Sequence, residues 1–133
     1  MNETQSYRLR AGSHDLEVWV DDEHDEILVG CQVDGAKIVG AGDGYFAALR
    51  ALRLQLEPLG LLLECYGASL THYPTGLAAS MGGGGLCYSL VPGRRPTDAH
   101  LVDVFATGPD CTPASVSDQE RWFETWCSTP LAD

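Results

Sequence analysis

Ile27-Leu28-Val29-Gly30-Cys31-Gln32-Val33-Asp34-Gly35-Ala36-Lys37-Ile38-Val39-Gly40-Ala41-Gly42-Asp43-Gly44 decides the fold. Ile27, Val29, Cys31 and Val33 recur at every second position, the period of a strand with one buried face. The pattern resumes over 36–39. Asp34-Gly35 between the two runs is the favoured two-residue hairpin turn, since both residue types tolerate positive φ. The glycine-rich run 40–44 then ends the strand pattern. Asp43 is placed to N-cap a helix by accepting from the free N–H groups of its first turn.

Toward the N-terminus, Tyr7, Leu9 and Ala11 alternate with Arg8 and Arg10, and Leu16, Val18 and Val20 alternate with Glu17, Trp19 and Asp21. With turns at Gly12-Ser13 and over 21–25, an antiparallel meander of three or four strands is expected. Toward the C-terminus, Tyr45, Phe46, Leu49, Leu52 and Leu56 share one helical face, with Arg50 and Arg53 toward the other. Pro58 and Gly60 stop that helix near Leu56. The continuous apolar run 61–69 reads as a buried strand, and 86–91 and 101–105 read as two more. Between them, residues 70–85 hold Pro74, Gly76 and Gly82 to Gly85, a loop of the kind that is functional or mobile. A turn over 92–96 carries Arg94-Arg95 at its tip.

Ser117-Asp118-Gln119-Glu120 fits a capping box, opening a short helix that ends near Cys127. Its aromatic stripe, Trp122, Phe123 and Trp126, reads as core packing, and residues 128–133 are expected to fray. The order is β-β-β(β)-α-β-β-β-α. It implies a single α+β domain over 1–133, with one mixed or antiparallel sheet of six to seven strands and both helices on one face.

The 133 residues suffice for one core. Charge is the strongest compositional signal: 19 acidic residues against 8 basic give −11. Such a field disfavours nucleic acid and anionic membrane surfaces, which need clustered Lys and Arg, and speeds encounter with a basic protein. The plainer reading is solubility. Met1 to Ser6 is polar and no apolar run approaches the roughly 20 residues of a membrane span, so a cytoplasmic location is expected. Cys31, Cys65, Cys87, Cys111 and Cys127 include no C-x-x-C pair and no zinc spacing. They read as free thiols, with no metal or cofactor.

No catalytic motif is complete. The run 40–44 is G-x-G-x-G rather than a dinucleotide fingerprint, and Asp43 would oppose a pyrophosphate. Ser80-Met81-Gly82 lacks the nucleophile-elbow pattern. A small hydrolase pairing His72 or His100 with a cysteine or serine, such as His100 with Cys111, is the enzymatic alternative. A homodimeric accessory subunit with a self-complementary aromatic face is another. Seven acids fall within 15–26, and the run Asp21-Asp22-Glu23-His24-Asp25-Glu26 lacks EF-hand spacing. It reads as a solvated turn or as a projecting hairpin that pairs with a partner's cations. The irregular stretch over 65–76 adds Tyr66, His72 and Tyr73 as interface anchors. The expected partner-binding residues are therefore Asp21, Asp22, Glu23, Asp25, Glu26, Tyr66, His72 and Tyr73, with no catalytic residues.

Cys65-Tyr66-Gly67-Ala68-Ser69, Tyr73-Pro74-Thr75-Gly76, Ser80-Met81-Gly82-Gly83-Gly84 and Val102-Asp103-Val104-Phe105-Ala106-Thr107-Gly108-Pro109, followed by a tryptophan-bearing helix, carry a resemblance. Over roughly residues 43–127 the chain resembles bacterial immunity proteins that neutralise polymorphic toxins delivered between competing cells. The resemblance implies a cytoplasmic, stoichiometric inhibitor of a cognate toxin domain, without catalysis of its own.

Overall fold

The alternation of the first forty residues builds a four-stranded antiparallel sheet in chain order: β1 (Gln5–Ala11), β2 (His14–Asp21), β3 (Ile27–Val33) and β4 (Ala36–Gly42). The computed structural model describes residues 5–23, 25–75 and 85–132. Leu9, Ala11, Leu16, Val18, Val20, Val29, Cys31 and Val33 all face one side and are buried. At the β3–β4 turn Asp34 has φ 50° and Gly35 φ 84°. Two successive left-handed residues are what a two-residue hairpin matched to strand twist requires.

Helix α1 (Tyr45–Leu56) crosses the buried face over β3 and β4, burying Ala48, Leu49, Leu52 and Leu56. The backbones meet at Gly40, where an added Cβ would lie 2.6 Å from the Ala48 carbonyl oxygen and against the Leu52 nitrogen. Glycine here serves close approach rather than a turn. The N-cap is Gly44 with no side-chain cap, so the capping expected of Asp43 is not made. After Leu56 a 3₁₀ turn (Glu57–Leu59) and left-handed Gly60, φ 78°, end the element as expected.

The rest of the chain departs from the single expected sheet. β5 (His72–Tyr73), β6 (Leu86–Ser89) and β7 (Leu101–Asp103) form a second antiparallel sheet, giving seven strands among the described residues, divided four and three. The run 61–69 is not a strand. Its backbone bonds are scattered over several partners: Glu64 N–H to Arg10 O, Tyr66 N–H to Ala106 O, Gly67 N–H to Val104 O and, just beyond, Leu70 N–H to Thr112 O, each 2.8 Å. A 3₁₀ turn (Tyr66–Ala68) lies in its middle. The run is mostly apolar because it is a plug, buried except at Leu62 and Glu64 and satisfied by whichever backbone passes it.

α2 (Val116–Ser128) is capped by Ser115, whose Oγ accepts from the Asp118 N–H at 3.1 Å. The capping box at Ser117 is therefore unused. α2 covers the small sheet rather than the large one: Trp122, Phe123 and Trp126 pack around Tyr88 and Leu90 with Tyr73 and Leu101. Instead of fraying, the segment after α2 folds back, and Ala132 N–H donates to Gly93 O at 2.7 Å. Among the described residues no helix is long and apolar enough to cross a membrane.

A buried polar clamp joins the two halves. Arg53, 3% exposed, donates from Nη1 to Gly67 O (3.0 Å) and Gln119 Oε1 (2.6 Å), and from Nη2 to Ala114 O (3.0 Å). Gln119 Nε2 shares its two hydrogens among Gly67 O, Ser69 O and His72 O at 3.2, 2.9 and 2.9 Å. The amide orientation follows, because the flipped form would set an NH₂ against the guanidinium and an oxygen against three carbonyls. Gln119→Met is expected to leave a buried guanidinium under-satisfied and three carbonyls short of a donor, costing about 2–4 kcal/mol. Arg50→Met, which loses a half-exposed pair with Glu120, should cost under about 1 kcal/mol. Urea denaturation checks both, and equal losses would contradict the clamp.

Candidate functional site

Seven of the nineteen acidic residues lie at one end of the molecule. The β2–β3 turn presents Asp21, Asp22, Glu23, Asp25 and Glu26, and all but half-buried Asp21 are exposed. The Ile27–Gly42 pairing sets Asp43 beside that turn. The Leu86–Asp103 pairing ends β7 at the same end, since both residues line a recess with Val20 and Tyr45. Local bonds shape the turn: Glu23 N–H donates to Asp21 Oδ1 at 3.1 Å, and Tyr45 OH donates to Asp22 Oδ2 at 2.6 Å.

All eight cations lie elsewhere. Arg8 and Arg10 stand opposite Glu17 and Asp15 across β1–β2, and Lys37 lies over the Trp19 ring. Arg50 pairs with Glu120, Arg53 is buried and Arg121 pairs with Asp118. Arg94 and Arg95 line a separate surface recess with Thr97 and His100.

Behind the acidic turn is a slot of about 350 Å³ lined by Gln5, Tyr7, Val20, Tyr45, Leu86, Asp103 and Phe105. Tyr7 and Phe105 stack at 4.9 Å and 13°, and Tyr45 stands edge-on to Phe105 at 6.3 Å and 89°. The hydrogen bond to Asp22, helped by burial and by the Asp22 and Asp103 charges, pushes the Tyr45 hydroxyl up to about 12. Burial, then the Asp103 charge, raises Tyr7. Both tyrosines feel a negative potential, the kind of field that draws in a cation.

The other expected contacts are internal. Tyr66 is buried, donates to Asp110 Oδ1 at 2.6 Å and lies 4.5 Å from the His72 ring. Its hydroxyl is pushed up to about 12, first by that hydrogen bond, which in turn lowers the Asp110 carboxyl. His72 is buried. Tyr73 is half-buried between the helices, stacked on Phe123 at 4.0 Å and edge-on to Phe46 at 5.1 Å. The anchoring expected of Tyr66 and His72 is corrected, because both side chains are buried; Tyr73 keeps a partly exposed edge, and of the other expected residues Asp22, Glu23, Asp25 and Glu26 are exposed. His24, the Ser80-Met81-Gly82 run and Gly82 to Gly84 lie outside the described residues.

A buried serine and histidine do come together with an exposed carboxylate. Ser69 Oγ lies 2.9 Å from His72 Nδ1, and Asp110 Oδ2 lies 3.8 Å from Nε2. Nε2 is buried without a hydrogen-bond partner among the described residues. Ser69 is fully buried and its Oγ also accepts from Thr112 N–H at 3.0 Å. A nucleophile must reach a substrate, and this hydroxyl is sealed in and engaged. His100 bonds Thr97, while Cys111 bonds Thr107 and Ser69. Burial raises the thiols of Cys31, Cys65, Cys87 and Cys111, Cys65 and Cys87 to about 12, the opposite of nucleophile activation. Among the described residues no group of three His, Cys, Asp or Glu side chains could hold a metal ion.

Compared with known proteins, the chain matches no family model and no curated protein. Asp43, Asp103, Tyr7, Tyr45 and Phe105 went unseen as site residues in the sequence. They come from separate elements, and no spacing rule joins them.

Burial lowers the pKa of His72, against a smaller opposing effect from Asp110. The unfolded chain then binds the extra proton first. The histidine's contribution is complete above about pH 6.5 and is lost as pH falls below that value toward the folded pKa. The stability gap between wild type and His72→Gln should narrow between about pH 7.5 and 5, by at most about 1.4 kcal/mol per unit. Thermal unfolding of both proteins across that range measures it. A constant gap would contradict the reading, and the shared charge relief on acidification cancels in the difference.

Proposed function

We propose that the protein is an immunity-type inhibitor that binds a cognate, basic bacterial toxin domain and neutralises it stoichiometrically in the cytoplasm, with no catalysis of its own. The observation that carries this reading is the placement of Asp21, Asp22, Glu23, Asp25, Glu26, Asp43 and Asp103 at one end while every lysine and arginine lies elsewhere. Solubility alone is served by interspersed charges, and like charges crowded together raise the energy of the folded state. A one-signed patch is suited to steering a partner of the opposite sign and to covering a cationic cleft. The sequence resemblance to immunity proteins supports the same role.

Co-purification with the product of the neighbouring gene, followed by rescue of cells expressing that product, tests the proposal directly. Failure to bind and to protect would sink it. Neutralising Asp22, Glu23, Asp25 and Glu26 to Asn or Gln should slow association with the basic partner about 10–100-fold at about 50 mM salt and much less at about 500 mM. Asp34→Asn, at the opposite end in a left-handed position that asparagine tolerates, should change neither rate. Stopped-flow association at the two salt concentrations separates these outcomes.

A further inference from the structure

We infer that the slot between Tyr7, Tyr45 and Phe105 is a subsite for one arginine side chain of the partner. The inference rests on the proposal of a basic partner and adds what the acidic end recognises. The cavity, about 350 Å³, is at the small end of ligand sites, so it suits a single long side chain better than an extended peptide. Its walls are aromatic: the stacked Tyr7–Phe105 pair and Tyr45 edge-on to Phe105. Among the described residues its charged lining group is Asp103, beside neutral Gln5 and the two tyrosine hydroxyls.

Asp103 lines the slot and Asp22 is fixed beside it by the Tyr45 hydroxyl. Asp103 Oδ1 accepts from Phe105 N–H at 2.8 Å, which aims the carboxylate and leaves Oδ2 without a partner among the described residues. Asp22 likewise keeps Oδ1 open. A cation entering here meets ring π-electrons and two carboxylates already held in position.

Guanidinium fits better than ammonium. It is flat and can stack on a ring, its donors form a fork that serves two carboxylates at once, and it is more weakly hydrated, so entering a half-apolar slot strips less water from it. The assignment also separates two tasks at this end. The exposed carboxylates of the 21–26 turn steer the approach, and the slot fixes the register with one buried anchor, as interface hot spots do.

The test uses the full chain and small probes. Nα-acetyl-arginine methylamide should shift the NMR ring resonances of Tyr7, Tyr45 and Phe105, with at least about fivefold weaker responses from the lysine and citrulline analogues. Asp103→Asn keeps an acceptor for Phe105 N–H and should abolish that preference, with Tyr45→Leu as a second variant if the first is poorly folded. In the complex, Asp103→Asn should weaken partner affinity at least about tenfold and lose its effect when one particular partner arginine is replaced. Equal responses to lysine or citrulline, or partner affinity unmoved by Asp103→Asn, would overturn the slot assignment while leaving the inhibitor proposal standing. Arginine-specific shifts in a protein that binds and protects against no basic toxin would do the reverse.

Discussion

Burying a guanidinium without a carboxylate beside it is the constraint around which this molecule is arranged. Arg53 sits where its charge has little water, and burial lowers its pKa, though not enough to deprotonate arginine. The charge must therefore be met by oxygens, and three converge on it from different places: Gly67, Ala114 and Gln119. Those oxygens belong to the plug, the approach to α2 and α2 itself. A neutral side chain at position 53 would release all three, leaving the half-exposed Arg50–Glu120 pair, the Glu57–Val116 bond and the Phe46–Tyr73 contact to hold α2 and the small sheet against α1. Gly67 shows how tight the arrangement is. Its carbonyl accepts from both Arg53 and Gln119, and a Cβ there would lie 2.6 Å from Leu49.

This clamp also explains why the chain's enzyme-like residues are misleading. Ser69 and His72 stand close together because Gln119 gathers the carbonyls of 67, 69 and 72 onto one amide, and the Tyr66 hydroxyl holds exposed Asp110 beside them. Pulling those backbone groups inward carries Ser69 and His72 into the interior with them. Proximity of serine and imidazole is here a by-product of satisfying buried backbone, and the raised thiols nearby follow from the same dryness.

Legibility in the sequence followed the locality of each signal. The meander was readable because period-2 alternation and Asp34-Gly35 are complete within a few residues, and α1 because its apolar face and its Pro58-Gly60 stop are local too. The plug over 61–69 was misread since continuous apolarity reports burial but not which backbone supplies the hydrogen bonds, and those came from Arg10, Val104, Ala106 and Thr112. At α2 two serines two positions apart could each cap, and the choice of Ser115 is accompanied by a tertiary contact, Glu57 accepting from Val116 N–H at 2.7 Å. The acidic turn was visible as composition. The slot was not, because Tyr7, Tyr45, Phe105 and Asp103 meet only when both sheets are in place.

The two ends of the molecule thus differ in what their polar groups accomplish. In the interior nearly every donor and acceptor is matched, so replacing one disturbs the fold. At the acidic end the carboxylates repel one another, and among the described residues Asp21, Asp22 and Asp103 are the ones held there by hydrogen bonds. Selection for stability alone would intersperse lysines among them, as it has set Arg8 opposite Glu17 and Arg10 opposite Asp15 on the neighbouring strands. That those same strands carry compensated charge until β2 reaches Asp21 argues that the imbalance is local, and a local imbalance calls for a local, cationic counterpart.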